Sequence, residues 1–333
     1  MAVISMRPEG LYCRAGDFYI DPWKPVDRAL ITHAHADHAR SGSQQYYATR
    51  QSEGILRKRL GPIQFNGVSY GDRLPFGAAQ VSFHPAGHVL GSAQVRIEAE
   101  GEVWVISGDY KRGADPTCTP FEPVPCDTFI TEATFGLPVY RWQSGAEIAQ
   151  QVYDWWQQAP ERPSLLFCYS FGKAQRVLAE LALIKAAAQN ERPIYVHGAI
   201  AALNSIYQEQ GIDLGETIPV SQMPGHAFQG DLVLAPPSGH RSTWMKRFKQ
   251  PQTAFASGWM AVRGARRRRG YERGFVLSDH ADWPGLIKTV RQTQASKVYV
   301  THGQSDTLSR YLREALGLDA EPLETLFEGE GDI

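Results

Sequence analysis

The sequence predicts an α/β protein with a β-rich first part, an α/β middle and a tail that repeats the alternation. Three observations carry this. Short apolar runs divided by Gly and Pro fill the first third of the 333 residues. The hydrophobic period turns helical at Ser144. Strand-like and helix-like stretches then alternate to the end, the pattern of a parallel sheet crossed by helices.

The strand-like runs of the first third are Ala29–Thr32, Ala79–Phe83, Ala93–Ala99, Val103–Ser107 and Thr128–Thr131. Glu100-Gly101-Glu102 reads as a hairpin turn flanked by alternating Val95, Ile97 and Val103, Val105. Ser144 and Glu147 have the S-x-x-E spacing of a capping box, in which two orphan N–H groups at a helix start are satisfied reciprocally. The apolar stripe Ile148, Val152, Trp155, Trp156 follows it. Next come a strand over Leu165–Tyr169, a helix over Lys173–Ala188, a strand over Pro193–Val196, a helix over Ala199–Gln210 and a strand over Asp231–Leu234. The tail adds a strand over Gly274–Leu277, a helix capped at Asp282, a strand over Lys297–Thr301 and a helix from Ser305. This order suggests an insertion rather than two tandem domains.

Composition sets limits on class. At 43% hydrophobic residues a chain of this length buries an ample core without staples. The four cysteines, Cys13, Cys118, Cys126 and Cys168, show no CxxC pairing and read as thiols of a reducing compartment. The start MAVISMRPEG lacks the basic and apolar segments of a signal peptide, and no run approaches the ~18 apolar residues of a membrane span. A cytoplasmic protein with no membrane partner is the expectation. The formal net charge of −1 does not advertise a polyanionic partner, so any case for nucleic acid rests on local features.

The chemistry starts at His33-Ala34-His35-Ala36-Asp37-His38, after the apolar run Ala29–Thr32. On an extended strand end, residues two apart point the same way, so His33 and His35 face one metal while Asp37 and His38 reach a second. Imidazole and carboxylate without thiolate suit Zn, with Mn or Fe as alternatives. Further candidates close other strand-like runs: His88 in His84-Pro85-Ala86-Gly87-His88, Asp109 after Ser107-Gly108, and His302 after Val298–Thr301. Loops at strand ends are where such scaffolds collect function.

HxHxDH followed by Gly-His and then Ser-Gly-Asp resembles the metallo-β-lactamase superfamily. Thr131–Gly136, Leu277-Ser278-Asp279-His280-Ala281-Asp282 and Val300–Gly303 are similar to the later motifs of its β-CASP group, which comprises nucleases. The resemblance covers nearly the whole chain. It implies an αββα sandwich in two parts, 1–137 and 266–333, with an α/β β-CASP domain inserted over 138–265. It implies one metal on His33, His35, His88 and Asp109, and a second on Asp37, His38, His302 and a bridging Asp109. Asp21 then supports the histidine motif by hydrogen bonds. His280 is the general acid, oriented by Glu132, and together with Asp37 and Asp109 these form the catalytic set. Two divalent ions, Zn foremost and Mn second, are the implied cofactors. The segment from Ser257-Gly258-Trp259-Met260 to Trp283 looks most like the bacterial ligase-associated DNA exonuclease family. That implies DNA over RNA, exonucleolytic trimming in repair, and a DNA ligase as partner. A ribonuclease of the same group, or a lactone or thioester hydrolase of the same fold, is the alternative.

The remaining candidates are weaker. Arg263, Arg266, Arg267, Arg268 and Arg269 form a dense basic tract suited to bidentate phosphate contacts, with Trp259 or Tyr271 near enough in sequence to stack on a base. Lys173, at the start of a helix after a strand, is a further nucleic-acid candidate, although no G-x-x-x-x-G-K-[ST] loop surrounds it. His84 stands four residues before His88, but Pro85 and Gly87 argue against a helical metal pair. His197 and His240 end strand-like or Pro/Gly segments and read as ordinary hydrogen-bonded histidines, with phosphate contact as the alternative, and His226 has no assigned role.

Overall fold

The computed structural model describes residues 2–262 and 270–327. Of these, the residues up to Arg112, Cys118–Arg141 and those from His280 on pack as one unit, and Gly113–Thr117 with Trp142–Asp279 as another. The chain thus passes between units at 141/142 and 279/280, beyond the expected limits at 137/138 and 265/266. The basic tract at 263–269 lies outside the described residues.

The first unit holds two mixed sheets. In one, β1 (Ile4–Arg7), β2 (Gly10–Cys13) and β3 (Phe18–Ile20) form an antiparallel meander. It continues into parallel β4 (Arg28–Leu30), β5 (Gln45–Thr49) and β6 (Phe65–Val68). The short helix α1 (Glu53–Leu60) joins the last two. The second sheet has the same plan. Antiparallel β7 (Leu74–Phe76), β8 (Ala79–Pro85), β9 (Ala93–Ala99) and β10 (Glu102–Ile106) lead to β11 (Thr128–Glu132), which pairs in parallel with β10.

The second unit is built on a sheet whose strand pairs are all parallel, ordered β14-β13-β15-β12-β16-β17. Its elements in chain order are α2 (Gly145–Gln157), β12 (Ser164–Phe167), α3 (Lys173–Ala187), β13 (Ile194–Val196) and α4 (Gly198–Glu209). The strands β14 (Thr217–Pro219), β15 (Leu232–Ala235), β16 (Gln252–Ala256) and β17 (Arg273–Phe275) complete it. The capping box forms as read: the Ser144 hydroxyl accepts from Glu147 N–H, and the Glu147 carboxylate accepts from Ser144 N–H at 2.9 Å. The strand β12 is buried along its whole length, as a sheet covered on both faces requires.

The chain then returns to the first unit with α5 (Trp283–Thr293), β18 (Lys297–Thr301), α6 (Ser305–Leu316) and β19 (Asp319–Pro322). β18 pairs in parallel with β11 on one side and β19 on the other. Period-2 alternation decides what each face of this sheet meets. Trp104, Ile106 and Ile130 join Leu11, Phe18, Ile20 and Leu30 of the first sheet in one core. Val105, Phe129, Val298 and Val300 face a second core with Leu286 and Val290 of α5 and Leu308 and Leu312 of α6. The two sheets therefore pack face to face, and α5 and α6 cover the outer face of the second. No helix among the described residues is long and apolar enough to cross a membrane.

Candidate metal centre

The candidate ligands stand where strands of the first unit stop. Asp21 follows β3, the His33–His38 loop follows β4, Asp109 follows β10, Glu132 closes β11 and His302 follows β18. His88 lies in the turn between β8 and β9. Parallel strands bring their carboxyl ends to one edge, which is why residues far apart in sequence meet here. Tight turns complete the approach. Gly108 has φ +54°, and a Cβ there would meet the Thr32 side chain at 2.6 Å. His302 itself takes a left-handed φ of +61°.

Two groups of ligand atoms result. His33, His35, His88 and Asp109 each bring one atom within 4.8 Å of the others, and Asp37, His38 and His302 do the same. Asp109 joins them. One carboxylate oxygen lies 3.4 Å from His33 Nε2 and 3.8 Å from His88 Nε2. The other lies 3.6 Å from His38 Nε2 and 3.8 Å from His302 Nε2. His35 Nδ1 is 3.0 Å from His88 Nε2, and His302 Nε2 is 3.3 Å from His38 Nε2.

These spacings fit bound cations. Metal–ligand bonds of about 2.0–2.2 Å at tetrahedral angles put ligand atoms roughly 3.3–3.6 Å apart. His33 Nε2 and Asp109 Oδ1 are buried and make no hydrogen bond among the described residues. Burying such atoms without a partner is unfavourable, and a divalent ion in each group would satisfy both.

The surroundings orient the imidazoles as metal ligands need. Asp21 Oδ2 lies 2.7 Å from His38 Nδ1 and accepts from the Thr32 hydroxyl at 2.5 Å, while Oδ1 accepts from Thr32 N–H at 2.7 Å. The same hydroxyl is 3.1 Å from His33 Nδ1. One buried carboxylate thus holds both histidines by their Nδ1 edges and leaves Nε2 for the ion. Arg59 of α1 donates to the Ala34 carbonyl and pins the loop from its outer side.

Burial holds His33 well below its ordinary pKa, with His38, His88 and His35 adding to the effect. It lowers His35 to about 4 and His302 to about 3. These are the neutral forms a cation binds. His38 differs: burial opposes its charge, but Asp109, Asp37 and Asp21 outweigh that and raise it to about 10. Asp109 is pushed up to about 7, by burial first of all.

His280 stands beside these groups. Its Nδ1 is 2.9 and 3.0 Å from the two oxygens of Glu132, so its Nδ1–H donates there. Glu132 is itself held, accepting from Tyr110 N–H at 2.8 Å and Thr134 N–H at 3.3 Å. Burial works against the Glu132 charge, yet the charge and hydrogen bond of His280 hold it below the usual glutamate range. Asp109, Glu132 and His280 form a third compact group.

Other expected contacts fall elsewhere. Lys173, read as a phosphate contact, is fully buried in the second unit, its ammonium 3.3 Å from Asp279 and over the Tyr169 ring. Its charge is used inside the protein, which corrects that reading. Arg176, one turn on, is also buried, 3.6 Å from Asp279 and 3.5 Å from Asp115. Arg263, Arg266, Arg267, Arg268 and Arg269 lie outside the described residues. Tyr271 stacks with His240 at 4.0 Å and with Phe255 at 5.1 Å. His84 lies away from both groups, between Ser82 and Glu122. His197 caps α4 and His226 pairs with Asp231. Sequence reasoning missed Thr32 and Arg59. The place of Thr32 directly before His33 was the one available signal; Arg59 on a short polar helix gave none.

No protein-family model matches the chain. It is 29% identical over 325 residues to a probable DNA ligase of Opitutus terrae, covering 93% of this chain and 30% of that protein. It is 35% identical over 147 residues to a ribonuclease of Thermus thermophilus, covering 36% of this chain and 34% of that one. The chain thus spans about a third of the length of these curated relatives. A solved structure of a protein of unknown function from Enterococcus faecalis V583 shares the fold over 91% of this chain and 78% of its own, with a TM-score of 0.57 at 14% identity. These matches support the resemblance of the chain to the β-CASP group of the metallo-β-lactamase superfamily.

Proposed function

We propose that this protein is a two-metal nuclease, and that its second unit, over Trp142–Asp279, is the inserted β-CASP domain. The observation that carries the reading is Asp109, whose two oxygens face separate ligand groups. One carboxylate offered to two cations holds a metal pair close together, which suits phosphodiester hydrolysis. When bound, the two ions supply Lewis-acid charge stabilisation and a water nucleophile of lowered pKa. His33, His35 and His88 would hold the first ion, and Asp37, His38 and His302 the second. His280 carries a proton on Nε2 and delivers it to the departing sugar oxygen, which otherwise leaves as a poor alkoxide. Glu132 keeps the imidazole aimed.

DNA is the proposed polymer, trimmed from an end during repair. The support is that the match to a protein named a probable DNA ligase takes in 93% of this chain, against 36% for the ribonuclease. The chemistry of end trimming also fits a ligase, which needs matched ends. Purified protein loaded with Zn or Mn, given end-labelled single-stranded DNA and RNA of one sequence, tests this. Stepwise shortening of DNA, absent from His33→Ala and Asp109→Ala proteins, is the expected result. Preferential cutting of RNA would move the substrate to the RNA branch. Hydrolysis of lactones without either would end the nuclease reading.

A further inference from the structure

The last described segment of the first unit runs back along β18 toward the candidate metal centre. β19 pairs with β18 as far as Val300 and Pro322. Leu323 N–H then donates to the Val300 carbonyl at 2.8 Å, and the hydroxyls of Thr325 and Thr301 lie 2.6 Å apart. This register delivers Phe327 onto His302. The Phe327 ring lies 4.8 Å from the His302 ring and 4.6 Å from the His38 ring, at 3° to each. The two imidazoles are 4° from parallel at 5.2 Å. Trp23 meets Phe327 edge-on at 5.6 Å and backs it from another side.

The nitrogen lone pair of an imidazole lies in the ring plane, so a ligand histidine works only when that plane is fixed. The torsion that turns the ring is soft, and a hydrogen bond to the second nitrogen usually fixes it. His38 has that bond, from Nδ1 to Asp21. His302 does not: its Nδ1 is buried and makes no hydrogen bond among the described residues. The flat face of Phe327 lies against the His302 ring, in the offset-stacked range that aromatic rings favour, and so opposes rotation of that plane.

We propose that Phe327 is a positioning residue for the second ion, standing in for the hydrogen bond that His302 lacks. The inference rests on the two-metal reading above, and metal content separates the two. Ions per chain are counted after dialysis, and each affinity is measured by competition with a chromophoric chelator. The wild type is compared with Phe327→Ala, Phe327→Tyr and Leu326→Ala, whose side chain is 60% exposed. Two ions are expected in the wild type, in Phe327→Tyr and in Leu326→Ala. In Phe327→Ala the first ion keeps its affinity and the second weakens about 10- to 100-fold. Two ions at unchanged affinity in Phe327→Ala overturn the proposal and leave the metal reading standing. Equal weakening of both ions also overturns it, making Phe327 general packing. A wild type that holds no ion overturns the two-metal reading, and this inference falls with it. Should Phe327→Ala fail to fold by circular dichroism, Phe327→Leu keeps apolar volume without a flat face. Selective weakening of the second ion is expected there too, and its absence sinks the idea.

Discussion

Asp21 reaches His38 with a carboxylate oxygen 2.7 Å from Nδ1, both side chains buried, from a backbone with φ +44°. Asparagine tolerates that left-handed backbone, so Asp21→Asn removes charge while keeping the chain path. Metal binding at the His38 group is expected to weaken about 10- to 100-fold, as for other lost supports of a ligand histidine. Calorimetric titration with Zn or Mn checks it; an unchanged affinity would show that the carboxylate does not matter to the ion.

In the proposed mechanism His280 and Glu132 act on the leaving group. His280→Ala is expected to slow cleavage of an ordinary phosphodiester about 10²- to 10⁴-fold. With a p-nitrophenyl phosphodiester, whose phenolate leaves unaided, the loss should be small. Equal loss on both substrates contradicts a general-acid role. Glu132→Gln should follow the same split.

Metal loading should raise thermal stability, because it partners the buried His33 Nε2 and Asp109 Oδ1. An ion present at 100 times its Kd adds about 2.7 kcal/mol. Scanning calorimetry with and without chelator measures the shift. His33→Ala should lose most of it, and a melting temperature blind to metal would speak against both groups.

Gly108→Ala is a backbone test. Its φ of +54° and the Thr32 side chain 2.6 Å from a new Cβ leave the methyl no room. A loss of about 1–3 kcal/mol is expected from strain and overpacking. The displaced Thr32 should also weaken metal binding through Asp21 and His33. Denaturant melts and metal titration give the two numbers, and a neutral substitution would mean the turn relaxes freely.

Thiol reactivity follows burial. Cys13, Cys126 and Cys168 are buried, and burial pushes Cys126 and Cys168 up to about 12. Cys118 is half-buried. Native protein at pH 8 should therefore react with a disulfide reagent at Cys118 first, the other three following only in denaturant. Fast reaction of a buried thiol would contradict the packing around it.

Much of the candidate site was legible because its residues sit in short local motifs at strand ends. His33 to His38 share one loop, and Asp109 and His302 each follow an unmistakable strand; β9 and β18 begin and end where the pattern puts them. Less apolar elements were invisible. β1 exposes Ser5, Met6 and Arg7, and α1 buries only Ile55 and Leu56, so neither carries a readable stripe. Lys173 misled because its partner Asp279 is distant in sequence, and a helix-start lysine looks the same whether buried or exposed. Phe327 is a single aromatic among Thr, Leu and Glu, and only the pairing of β19 beside β18 gives it a place.

The position of β18 between β11 and β19 also orders events in time. Ribosomes make the loop from His33 to His38 before β18, with Trp142–Asp279 of the second unit between them. Until β18 emerges, β11 presents an unpaired edge and His302 does not yet exist. A chain made only as far as β17 therefore lacks His302, and its second candidate ligand group waits for β18 to emerge.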